Sequence, residues 1–317
     1  MLTRPDLTNV IVPYAGLTLL VCLGAVATWR RLLDRERITT LAEMTVGLLL
    51  PVFAFWHAAT GSAASVLGQA PWIVVLALVG GLAGYLIATA LARMQGWEWP
   101  QRSVLQVVGV SGNTAFLGIP VCAALYGSEG VMLALLYDFG ASIFLFTVGL
   151  AAFQQPAQIA GRTGSLLRTG VRHLVNPLLV SLLLGLGVAL AGWSIPPILR
   201  QPLESLSNTV IPLMMLMLGG MIYNFASQPD WGRRDVFLLT FLKLICLPVL
   251  TLLAVNLLRL PVATRGVVVV EAAMPSAVIT AVFAERYNAD RRLAASAVMV
   301  TTLLSALTVP VFTIVVR

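Results

Sequence analysis

Two short polar segments interrupt long apolar runs in this chain. The first is Ser111-Gly112-Asn113-Thr114-Ala115-Phe116-Leu117-Gly118-Ile119-Pro120, and the second is Glu271-Ala272-Ala273-Met274-Pro275-Ser276-Ala277-Val278-Ile279-Thr280. Pro120 and Pro275 lack a backbone N–H and kink or break a helix. Gly112 and Gly118 allow non-helical backbone and the close approach of another segment. Broken helices leave free N–H groups and partial positive charge at the half-helix starts, which suits an anionic ligand group. Asn113 beside the first break can donate to a carboxylate. The competing reading is a pair of ordinary proline kinks, with Asn113 only satisfying its own broken backbone.

Four ionisable residues fall inside apolar runs: Glu43, Asp138, Lys243 and Glu271. Charges inside a membrane are costly and default to functional candidates. Glu43, like Glu204, sits near the end of its run and reads as a snorkelling or capping group. Glu271 is open to gating, titration or contact with water. Asp138 is a candidate for proton coupling, because protonation neutralises it; a structural ion pair is the alternative. Lys243 is the single lysine of the chain. It either attracts an anion or pairs with a carboxylate, and the sequence leaves both open. His57 and His173 lie near run ends and read as interfacial. Asn176-Pro177 reads as a helix start. Cys22, Cys122 and Cys246 lie singly in apolar runs, so no disulfide or metal site is expected. The chain carries no Walker segment, no Ser/His/Asp setting and no metal-ligand spacing, so neither an enzyme nor a cofactor is expected.

The elements that carry these residues follow from composition. Of 317 residues, 59% are hydrophobic and 10% charged, with mean hydropathy +0.92. A soluble domain has about 25% charged residues, so a polytopic membrane protein is what remains. Weak alternation argues against a barrel. Apolar runs predict an all-α protein with ten spans, at approximately 7–29, 38–58, 71–92, 104–126, 129–153, 172–193, 203–225, 236–258, 266–285 and 292–316. The first is too long for a signal peptide and its flanking charges follow it, so it reads as a retained helix. Fourteen arginines fall in one set of alternate loops, and five lie on the other side with both termini. The positive-inside rule then puts both termini outside the cytoplasm, in an inner or plasma membrane. The net charge of +7 is thereby explained by loops, without a nucleic-acid partner.

The halves repeat weakly. Pro13 and Trp29 match Pro177 and Trp193 at an offset of 164. Glu43, Pro51 and Tyr126 match Glu204, Pro212 and Tyr287 at an offset of 161. Five spans per half make such a repeat inverted, the arrangement of many secondary transporters, with matched interruptions as the pointer to the site. The expected organisation is a first five-helix repeat at 1–153, a short cytoplasmic linker at 154–171 and a second, inverted repeat at 172–317.

The segment Asn113–Pro120 resembles the fourth-span motif of the auxin efflux carrier family, which includes PIN-type auxin transporters and bacterial malonate and malate permeases. Ala273-Met274-Pro275-Ser276, followed by Val282-Phe283-Ala284-Glu285-Arg286-Tyr287-Asn288, resembles its second crossover. The resemblance covers nearly the whole chain. It implies a scaffold and a transport domain, two broken helices crossing at the substrate site, and alternating-access passage of an organic anion. Asn113, Thr114, Gly118, Pro120, Pro275 and Ser276 are then the expected substrate-site residues, with Asp138, Glu271 and Lys243 as coupling or gating groups. Thr280 stands where the first motif has Pro120, which predicts a less sharply broken second crossover. The 154–171 loop is far shorter than the regulatory loop of many plant members. A small organic anion, the lipid bilayer and a second copy of the chain are the expected partners. A sodium-coupled bile-acid-type symporter is the alternative, and a channel a more distant one.

Overall fold

The computed structural model describes residues 8–61, 66–154, 176–225, 234–258 and 260–316. His173 and nearly all of the 154–171 linker lie outside them. The regular elements are helices: α1 Thr8–Trp29, α2 Arg35–Thr60, α3 Ala70–Met94, α4 Gln101–Val107, α5 Thr114–Phe153, α6 Pro177–Leu190, α7 Pro197–Phe225, α8 Arg234–Leu257, α9 Val262–Ala272, α10 Val278–Arg286 and α11 Arg291–Val316. Among the described residues seven helices are long and apolar enough to cross a membrane, by length and composition. They are α1, α2, α3, α5, α7, α8 and α11, and α6 is a shorter apolar helix. Leu19, Leu86, Leu257 and Leu307 are exposed on these helices, as lipid-facing residues are.

α5 runs for 40 residues, about 60 Å of helix against a hydrocarbon core of about 30 Å. Gly127 divides it, at φ 61° and ψ −147°, a backbone conformation that only glycine adopts freely. Asn176 caps α6 as its sequence position suggested, accepting from the Leu179 N–H at 2.8 Å just ahead of Pro177.

Four helical stretches widen into a π turn: Thr45–Leu49, Thr114–Gly118, Leu145–Gly149 and Leu242–Cys246. In three of them a proline (Pro51, Pro120 or Pro248) follows two residues after the turn. A proline ring clashes with the carbonyl one turn earlier and leaves it without a donor. The extra residue of a π turn relieves that conflict without ending the helix. Thr114 and Lys243 therefore both sit on widened turns. Pro120 lies past the first break rather than in it.

The chain divides into two compact units built from alternating segments. The first gathers Met1–Trp72, Ala115–Leu136 and Val175–Asn224. Within it Gly24 abuts the Leu216 backbone and Gly219 the Val21 backbone, so closely that a Cβ on either would collide. Small residues of this kind let membrane helices approach backbone to backbone. Gly185 does the same against Phe55, locking α6 onto α2. The second unit gathers Ile73–Thr114, Tyr137–Leu174 and Phe225–Arg317. Its core buries Val104, Leu105 and Val107 of α4 and the following Val108 against Leu239 and Leu242 of α8 and Leu293, Ala294 and Ala297 of α11. That packing fixes α4, and so fixes where its chain breaks off.

Candidate functional site

The two helix breaks, at Val108–Asn113 and Ala273–Ala277, lie in the second unit, and they meet. After α4 the chain turns through Val108–Val110 and runs extended to Asn113, while the second interruption occupies Ala273–Ala277 between α9 and α10. Gly112 and Ser276 form an isolated antiparallel bridge. The Asn113 N–H donates to the Pro275 carbonyl at 2.7 Å, and the Ala277 N–H to the Ser111 carbonyl at 3.0 Å. Two strands one residue wide thus complete each other's backbone hydrogen bonding where lipid could not. The second break is fully open even though Thr280 is no proline. Pro275 sits inside the gap, and Thr280 lies in the first turn of α10 with its hydroxyl donating to the Ala277 carbonyl.

The backbone donors around Pro275 are engaged within the protein. Ala273 and Met274 donate to Val269 and Glu271 carbonyls, and the Ser276 N–H donates to the Thr301 hydroxyl at 3.1 Å. Backbone N–H groups beside Pro275 are therefore not free for a ligand, contrary to the expectation from broken helices alone. Side chains are. The Asn113 amide nitrogen, the Ser111 hydroxyl and the Ser276 hydroxyl are buried without a hydrogen-bond partner among the described residues. A buried polar group left so costs about 1–3 kcal/mol.

The charged candidates gather around the same crossing. Lys243, 2% exposed, reaches from the π turn of α8 and donates to the Ala272 carbonyl at 3.0 Å. That carbonyl belongs to the C-terminal end of α9, where a helix favours a cation. A Cβ on Gly112 would stand 3.3 Å from the Lys243 Nζ and 3.5 Å from the Glu271 carbonyl oxygen, so glycine is what lets the ammonium lie against the break. Glu271 is fully buried, one residue before the carbonyl that Lys243 binds. Next to Tyr137, the buried Asp138 accepts from the Thr114 hydroxyl at 2.5 Å.

Asn113, Thr114, Pro275, Ser276, Asp138, Lys243 and Glu271 thus belong to one unit and one crossing. Gly118 and Pro120 belong to the first unit. Glu43 and Glu204 are exposed, and His57 contacts Ser128 across 3.3 Å in the first unit. Sequence reasoning passed over Thr301, Ser111 and Tyr137 as site members. A polar series in α11 (Ser296, Thr301, Thr302 and Ser305, all buried) was the available signal for Thr301.

A family model described as membrane transport protein matches the chain twice, over residues 9–161 and 162–313. The chain belongs to this family, that of the auxin efflux carriers. It is 31% identical over 299 residues to an uncharacterized transporter of Methanothermobacter thermautotrophicus, covering 93% of this chain and 95% of the relative. A second uncharacterized transporter, from Methanocaldococcus jannaschii, is 25% identical over 301 residues, covering 92% and 94%. Auxin efflux carrier component 8 of Arabidopsis thaliana is 25% identical over 268 residues, covering 68% and 70%. Membership of this family makes the chain a multi-pass membrane transporter and not an enzyme.

Proposed function

We propose that this member of the membrane transport protein family is a secondary-active carrier of small organic anions working by alternating access. One observation carries the reading. The buried Asn113 amide nitrogen and the Ser111 and Ser276 hydroxyls have no hydrogen-bond partner among the described residues, at a crossing that also holds the Lys243 ammonium. Donors and a fixed positive charge suit a carboxylate. In this reading Asn113 and Ser276 contact the anion, and Thr114 and Pro275 shape the crossing. Gly118 and Pro120 set the wide turn that follows. Asp138 and Glu271 are the coupling or gating acids. An auxin-like aromatic carboxylate, the substrate class in the name of the Arabidopsis relative, or a malonate- or malate-like dicarboxylate is the proposed cargo.

The proposed topology is ten spans in two inverted five-helix repeats at 1–153 and 172–317, joined by the 154–171 linker. Both termini face away from the cytoplasm of an inner or plasma membrane. Splitting α5 at Gly127, joining α4 to its first arm and α9 to α10, and adding α6 brings seven long helices to ten passes. The double family match supports the repeat. A homodimer is part of the same proposal.

Lys243 speaks against the sodium-coupled alternative, because its ammonium already occupies the carbonyl end of α9. The test is a thermal-shift panel of organic acids on purified protein, with and without sodium. The carrier reading expects at least one carboxylate to raise the melting temperature equally in both. Strict sodium dependence would favour the symporter, and no shift by any acid would remove the anion site.

A further inference from the structure

Away from the crossing, the second unit holds a cavity of about 400 Å³ between α3, α4 and the end of α5. Its polar lining is unlike that of the buried break. Arg93 ends α3, and Arg102 opens α4. Neither guanidinium makes a hydrogen bond or ion pair among the described residues, and no acidic side chain lines the cavity. Asp235 of α8 accepts from the Gln101 side chain at 3.1 Å, and Glu98, in the turn between α3 and α4, is not among the lining residues. Inside the cavity Gln106 is 4% exposed and donates to the Thr89 hydroxyl at 2.8 Å, forming a polar floor. Trp99 and Tyr85 stand on the walls, Trp99 held by its indole N–H on the Phe153 carbonyl at 3.3 Å.

Two unpaired arginines at helix ends, above a polar floor and beside two aromatic rings, form an amphipathic receptor. Guanidinium forks match phosphate oxygens in two-point contacts. Tryptophan and tyrosine settle at headgroup level, and basic pockets between membrane helices take anionic headgroups. The volume lies in the range of a ligand site and is generous for a bare phosphate. We propose that this cavity is a binding site for the phosphate of an anionic phospholipid headgroup, with Arg93 and Arg102 as its two anchors. The site is separate from the anion crossing and does not depend on what the carrier moves.

The test uses full-length, delipidated protein and reads lipid binding by native mass spectrometry and thermal shift. The probes are phosphatidylglycerol, phosphatidylcholine and free glycerol 3-phosphate. The expected result is at least tenfold preference for phosphatidylglycerol over phosphatidylcholine. An R93Q/R102Q variant should lose that preference, and glycerol 3-phosphate alone should compete weakly. Should the double variant fail to fold, R93Q alone, at an exposed helix end, should still reduce the preference at least threefold. An unchanged lipid preference in the arginine variants overturns the proposal. So does binding of glycerol 3-phosphate as tight as that of the lipid, which would make the cavity a site for soluble phosphate esters.

Discussion

The two breaks occupy matching places in the two halves of the chain and solve the same problem differently. The break at Ala273–Ala277 satisfies its own backbone. Pro275 supplies the gap, Thr301 takes the Ser276 N–H, and the preceding residues bond back onto α9. The break at Val108–Asn113 leaves two side-chain groups, the Ser111 hydroxyl and the Asn113 amide nitrogen, buried without a hydrogen-bond partner among the described residues, against one in the other break, the Ser276 hydroxyl, and it continues into a π turn rather than straight into α-helix. A weak sequence repeat therefore does not make two equal half-sites. The second break is mainly a frame that adds the Ser276 hydroxyl, and the first presents most of the unpartnered groups, with Lys243 set between Gly112 and the end of α9.

The largest effect is expected from removing the charge that joins them. Lys243→Met leaves Glu271 buried beside an empty carbonyl end. It should lower stability by about 3–5 kcal/mol and weaken organic-anion binding more than any other single change. Thermal denaturation and ligand titration read both. Adding Glu271→Gln should restore part of the lost stability, as a coupled pair does. Equal losses in the single and double variants would separate Lys243 from Glu271.

Thr301→Val attacks the frame. It strips the acceptor from a buried N–H and should cost about 1–3 kcal/mol of stability, with little change in affinity in the folded fraction. A variant that melts like the parent would show that Ser276 finds another acceptor. Pro120→Ala is the mildest. Without the proline the π turn can tighten by one residue, which turns Thr114 by about 100° around the helix and away from Asp138. Transport should slow several-fold while equilibrium binding stays within about twofold. A variant transporting at the parental rate would mean the wide turn has causes other than Pro120.

Both breaks were legible in the sequence because glycine and proline announce non-helical backbone locally. Their crossing is implied by the family resemblance and not by local residue types, since the bridge between Gly112 and Ser276 is a long-range contact. Thr280 lies in the first turn of α10, and it is Pro275, five residues earlier, that sits in the second break. Backbone N–H groups were expected to hold the ligand; their real acceptor, Thr301, lies in a helix whose hydroxyls look generic in sequence. The division into two compact units was also hidden. They interleave along the chain, whereas the sequence repeat runs from half to half. The helix count depends on Gly127, whose backbone divides a 40-residue helix where the apolar runs 104–126 and 129–153 are read as two spans.

The most direct test of the open break as the anion site is the affinity of Asn113→Ala for the tightest-binding organic acid found with the parent protein. Removing one hydrogen bond to a charged group costs about 1.5–3 kcal/mol, roughly ten- to hundredfold in Kd. Stability should be unchanged or slightly raised, because the lost amide nitrogen is buried without a hydrogen-bond partner among the described residues. A folded Asn113→Ala protein that binds that acid as tightly as the parent would contradict the site.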